Sequence, residues 1–182
     1  QIFERNGLQI FDVEELTTHG GSLRVYVQLQ ASGQQVVDIR VKNLLDREVR
    51  AGMLSQHLYE EFQREAIAVK CDVLRFLLQA RNRGEKVGGY GAAAKGNTLL
   101  NFAGVRPDLL PYVVDLNPAK QGKSMPGSRI PIVGEAHLKG DRPDWILVLP
   151  WNLKTEIVAQ LTYVSQWGGR LVTPIELKEY LT

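Results

Sequence analysis

The sequence predicts an α/β protein: a mostly parallel, Rossmann-like sheet flanked by helices, preceded by a β-strand pair and a helical linker. Three observations carry this. Lys86-Val-Gly-Gly-Tyr-Gly-Ala-Ala-Ala-Lys95-Gly-Asn-Thr-Leu-Leu-Asn101 reads as a short buried strand, a glycine turn and a helix. Downstream of it, short apolar runs alternate with helical runs, as a doubly wound sheet requires. Among them Trp145-Ile-Leu-Val-Leu149 is continuously apolar, the pattern of a central parallel strand buried on both faces.

The elements follow in order. Ile2 to Gly7 reads as the last turn of a helix stopped by Gly7, so the chain opens in mid-element. Leu8–Val13 and Ser22–Gln28 are strand candidates joined by Thr17-Thr-His-Gly-Gly21, an antiparallel pair too small to stand alone. They are expected to be the trailing edge of a larger sheet. The composition turns small and polar at 31–33. Apolar residues at 37, 41, 44, 45 and 49 then mark one helix. Leu54, Leu58, Phe62, Ala66, Val69, Val73, Phe76 and Leu77 mark a second, from about Ser55 to Arg83.

Beyond Gly84 come a strand at 87–90, a helix at 93–103, strands at 112–116 and 130–133, and a helical turn at 134–138. The strand at 145–149, a helix at 153–167 capped by Asn152, and a last strand at 170–173 complete the chain. The expected divisions are residues 1–30, a linker over 31–84, and a Rossmann-like domain over 85–182.

Composition narrows the function. With 182 residues, 44% of them hydrophobic and 23% charged, the chain can fill one good core or a core plus a fragment of another. The net charge is +2 without a dense basic run, which argues against nucleic acid, and no apolar stretch is long enough to span a membrane. A cytoplasmic location is expected. Cys71 is the sole cysteine and sits in a helical run, where it reads as buried filler. No metal site is expected, because the three histidines, His19, His57 and His137, are dispersed.

Gly89, Gly91 and Ala94 give the spacing G-x-G-x-x-A, which permits a tight turn, close approach of a phosphate and helix packing on the strand. The same glycines also suit a turn that binds nothing. Lys95 falls in the first turn of its helix, where a cation opposes the dipole, so its position points to an anionic partner. Asn97 and Thr98 add neutral hydrogen-bonding groups. Asp115 lies 24 positions after Gly91, near the offset of a ribose-binding acid, although Asp115-Leu-Asn117-Pro118 equally reads as an Asx turn. Lys120 and Lys123 sit in a basic, flexible loop that either reaches an anion near Gly91 or is simply solvated. Trp151 leaves the Trp145–Leu149 strand at the same edge, placed to stack on a base or sugar or to fill a seam. His19, beside Gly20-Gly21, either faces a site in a preceding domain or is a plain surface residue of the turn.

Three stretches taken together resemble one family: His19-Gly-Gly-Ser-Leu-Arg-Val25, Gly89 to Asn101, and Tyr112-Val-Val-Asp-Leu-Asn-Pro-Ala-Lys-Gln-Gly122 with Pro126-Gly127 and Ile130-Pro-Ile132. In this order they look like the C-terminal part of the sugar C-methyltransferases, S-adenosylmethionine-dependent enzymes that methylate a carbon of a nucleotide-linked keto-deoxysugar. The resemblance implies a zinc domain and a methyltransferase domain upstream of Gln1 as partners in the same polypeptide. It also implies that S-adenosylmethionine is bound there and not by this chain. Most catalytic residues would lie upstream as well, with His19 the one candidate here. The residues implied to help bind the nucleotide sugar are Gly89, Gly91, Lys95, Asn97, Thr98, Asp115, Lys120, Lys123 and Trp151. Two other readings of the residues remain: a nicotinamide-dinucleotide oxidoreductase domain, and a structural or oligomerisation module.

Overall fold

The computed structural model describes residues 1–181, which fall into two compact units dividing between Gln63 and Arg64. In the first, α1 (Ile2–Arg5) leads into β1 (Leu8–Leu16), which pairs antiparallel with β2 (Ser22–Leu29). The register slips between Ile10 and Asp12, a β-bulge that bends the strand. Asp38 caps α2 (Ile39–Arg50), its carboxylate accepting the Arg40 N–H at 2.9 Å. Arg40 also donates to Asp12 at 2.7 Å and Arg47 to Glu15 at 3.0 Å, so charge pairs tie α2 to β1. Among the described residues of this unit only Val13 is buried, while Ile39, Leu45 and Val49 of α2 are each more than half exposed.

The second unit begins within α3 (Gln56–Asn82), and its described residues contain five strands. These are β3 (Val87–Tyr90), β4 (Val113–Val114), β5 (Ile132–Val133), β6 (Trp145–Val148) and β7 (Arg170–Val172). They form one parallel sheet in the order β5-β4-β3-β6-β7. The α-helices α4 (Ala94–Ala103), α5 (Glu135–Asp141) and α6 (Lys154–Gln160) connect them. The α/β expectation holds.

Alternation along the strands divides the core in two, because successive side chains point to opposite faces of a sheet. Val113, Trp145, Leu147 and Val172 pack with Val73, Phe76 and Leu77 of α3 and Leu100 of α4. Val114, Ile146 and Val148 pack with Leu138 of α5 and Ile157 of α6. The chain leaves β3 toward one face and β6 toward the other. Between their carboxyl ends lies the point at which open α/β sheets form a crevice.

Some expectations need correction. Cys71 is exposed, not buried: the apolar stripe of α3 passes through Val73, Phe76 and Leu77, which leaves residue 71 facing water. The helix expected over 153–167 is broken into a 3₁₀ turn (Trp151–Leu153), α6 and a second 3₁₀ stretch (Thr162–Trp167), so Leu153 rather than Asn152 precedes α6. Thr162, Tyr163 and Val164 are weak helix formers, and the irregular stretch still buries both Leu161 and Val164. The loop at 120–129 is not a loose one. Gly122 donates to Ile132, Ile132 to Lys123 and Met125 to Ile130, with an antiparallel bridge between Ser124 and Pro131, so the backbone folds back on itself as a hairpin.

Candidate ligand-binding site

At the carboxyl end of β3 the backbone turns at Gly91, whose φ of 89° is open to glycine at little cost. Gly91 N–H donates to Val114 at 2.7 Å, and Ala93 N–H to Gly91 at 2.8 Å, which tightens the turn. A β-carbon on Gly91 would stand 2.5 Å from Pro150 Cδ, so the Pro150 ring fills the space on that side. Gly89 is buried in the strand, where a β-carbon would meet Val113 Cγ2 at 2.8 Å. Gly96 brings α4 onto the end of β6, so close that a β-carbon there would stand 2.5 Å from Leu149 Cβ. Packing against Val113 and Pro150 therefore accounts for Gly89 and Gly91, the two glycines of the spacing.

Helix α4 starts after Ala93, which is extended and offers no side-chain cap. Its first-turn N–H groups, at Ala94, Lys95 and Gly96, lack intrahelical acceptors and carry the positive end of the dipole. Lys95 is half-buried there. Its ammonium lies 3.2 Å from Asn152 Oδ1 and 5.9 Å from the centre of the Trp151 ring, so the residue after the glycine turn meets the residues after β6. Trp151 is itself half-buried at the start of its 3₁₀ turn.

Asp115 leaves β4 and bridges back. Its Oδ2 accepts the Ala92 N–H at 2.9 Å and the Lys120 ammonium at 2.9 Å, while Oδ1 accepts the Asn117 N–H at 2.9 Å. Lys120 also donates to the Ala92 carbonyl at 2.9 Å, and Gln121 to the Asp115 carbonyl at 2.9 Å. The Asx turn is thus present, and it is joined to the glycine turn. Thr98 donates to Ala94 at 3.0 Å, within its own helix. Asn97 Oδ1 accepts from Asn101, which also donates to the Pro126 carbonyl at 2.9 Å and so fastens α4 to the hairpin. Lys123 is exposed on that hairpin.

The structure therefore gathers Gly91, Lys95, Asp115, Lys120 and Trp151 at one edge of the sheet. It buries Gly89 and leaves Thr98 and Lys123 toward solvent. His19 lies in the first unit, exposed in the β1–β2 turn at φ 58°, a conformation disfavoured for a residue with a β-carbon. His57 pairs with Glu61 at 3.3 Å, and the His137 ring packs edge-on against Tyr112 at 4.5 Å. Sequence reasoning missed the Ala92 N–H and carbonyl, since backbone groups carry no residue signature. It also assigned Asn152 to capping, whereas its side-chain oxygen accepts from Lys95 at the carboxyl edge of the sheet.

Residues 17–176 match the C-methyltransferase C-terminal domain family. Over 174 residues the chain is 33% identical to the C-methyltransferase NovU of Streptomyces niveus, an alignment that takes in 96% of this chain and 41% of that protein. The chain thus spans about two fifths of the relative's length. With most of its residues inside the matched region and the expected sheet in place, the chain belongs to the C-methyltransferase C-terminal domain family.

Proposed function

We propose that the chain is the C-terminal part of an S-adenosylmethionine-dependent enzyme that methylates a carbon of a nucleotide-linked keto-deoxysugar, and that its sheet edge helps bind the nucleotide sugar. The observation that carries the binding role is Lys95. A lysine in the first turn of an uncapped helix opposes the dipole, so its presence there, held by Asn152 over Trp151, is explained by an anion more readily than by stability. A phosphate in the crevice would meet the α4 amides and the Lys95 ammonium, with Trp151 beside it for a base or sugar ring.

In this reading S-adenosylmethionine, bound by a preceding domain, supplies the sulfonium methyl. The present residues bind and orient the acceptor so that the carbon next to its ketone can lose a proton and attack. Asp115 and Lys120 hold the turn at Gly91, Asn97 lies in the first turns of α4 beside it, Thr98 and Lys123 lie on the solvent side, and His19 is proposed to face the preceding domain's site. The near-absence of buried residues among those described in the first unit supports its packing against further polypeptide. The dinucleotide alternative is weakened because Asp115 already accepts three hydrogen bonds and Pro150 crowds Gly91. Calorimetric titration with a dTDP-sugar, NAD and S-adenosylmethionine separately tests the reading. Binding of the first alone is expected; binding of NAD alone would replace it with the oxidoreductase reading.

A further inference from the structure

Asp115 and Lys120 belong to the turn after β4, yet both act on the backbone of one residue in the turn after β3, each on one of the two peptide groups that flank its α-carbon. The Ala92 N–H donates to Asp115 Oδ2, the Ala92 carbonyl accepts from Lys120, and the two side chains pair with each other, all at 2.9 Å. We propose that Asp115 and Lys120 form a charge-neutral clamp on the backbone at Ala92, holding the peptide groups on both sides of its α-carbon, which sets the glycine turn for an anion without touching that anion. The ligand in this proposal rests on the phosphate reading above; the clamp rests on the geometry alone.

Three features support it. Both oxygens of Asp115 are engaged, and its side chain is only 12% exposed, which leaves little surface for a ribose hydroxyl. Ala92 is itself buried, and it lies two residues before the first residue of α4, so rotation of the backbone at Ala92 would re-aim the amides that follow. A carboxylate this close to an anion site would repel the anion, and Lys120 cancels that charge where it arises. Lys120 is then a positioning and masking residue, and Lys95 the cation that meets a phosphate.

The sign of the double-variant effect tests this with inorganic pyrophosphate as the calorimetric probe. Lys120→Met, which unmasks the carboxylate, is expected to weaken binding about tenfold. Asp115→Asn, which keeps an oxygen for the Ala92 N–H, is expected not to weaken it, and Asp115→Asn/Lys120→Met is expected to recover most of the loss. Ala92 amide exchange is expected to be slow in the native chain and to speed up in Asp115→Ala, with or without probe. A Lys120→Met loss that persists in the double variant would mean that Lys120 contacts the anion and would overturn the masking role. Weakened dTDP binding by Asp115→Asn with unchanged pyrophosphate binding would restore a ribose contact and overturn the proposal. Unchanged Ala92 exchange in Asp115→Ala would remove the clamp. If native protein fails to bind pyrophosphate, the phosphate reading and with it the masking role fall, while the exchange measurement still decides the clamp.

Discussion

Gly91 and Pro150 meet where β3 and β6 end: a β-carbon on Gly91 would lie 2.5 Å from Pro150 Cδ and 2.6 Å from its Cγ. Gly91→Ala therefore faces both this overlap and a φ of 89°. Together they should cost about 2 to 4 kcal/mol of stability. Chemical denaturation checks it. In a Pro150→Gly background the steric part should vanish and only the backbone part remain; equal losses in both backgrounds would show that Pro150 is not the obstacle.

Gly96→Ala sets two effects against each other. In an exposed helix alanine would gain about 1 kcal/mol over glycine. Here its β-carbon would lie 2.5 Å from Leu149 Cβ and would push α4 off the sheet. Overpacking of this kind costs about 1 to 3 kcal/mol, so a net loss is expected. A raised melting temperature would refute the close helix–strand contact.

Lys95→Ala should leave the fold intact, since the lysine opposes the dipole of α4. Loss of a phosphate contact should weaken dTDP-sugar binding by about 1.5 to 3 kcal/mol, the range for charge-assisted hydrogen bonds. Calorimetry paired with circular dichroism reads both quantities. Unchanged affinity in a folded variant would take Lys95 out of the site.

Acid should weaken the amino end of the sheet through Asp141. Burial alone would raise its pKa, but hydrogen bonds from Lys86 and Tyr112, each 2.8 Å long, outweigh burial and hold it below the ordinary value. A depressed carboxyl means that the unfolded chain takes up the proton first as pH falls. Its stabilisation is complete above the ordinary aspartate range, about pH 4, and is lost as pH drops through the lowered folded value. The denaturation midpoints of native protein and Asp141→Asn should therefore converge below that range. A gap that stays constant with pH would exclude this carboxylate as the source.

The chain by itself should transfer no methyl group to a nucleotide sugar. Transfer needs donor and acceptor held in a near-attack arrangement with a proton-transfer group in reach, and the proposed donor pocket belongs to a preceding domain. Radiolabelled S-adenosylmethionine provides the assay. Clear turnover by these 182 residues would place the catalytic groups within them.

Much of this molecule was legible because local chemistry and tertiary structure agree. The apolar run at 145–149 is a buried parallel strand for the reason its composition suggests, and Val73, Phe76 and Leu77 mark the buried stripe of α3 as their spacing requires. Gly91 was legible as a turn, because a positive φ restricts the residue type. The position of Lys95 at a helix start could likewise be read from spacing alone. What the glycines pack against could not be read, since Pro150 and Leu149 lie more than 50 residues away in the chain and only strand pairing brings them near. The same holds for Asp115 and Lys120: residue type suggests ligand contacts, while the folded chain directs both at the Ala92 backbone. Periodicity and backbone restriction act within a few residues and so are written in the sequence; partners are chosen by the order β5-β4-β3-β6-β7, which brings the ends of β3, β4 and β6 together and is settled only when the sheet closes over its two cores.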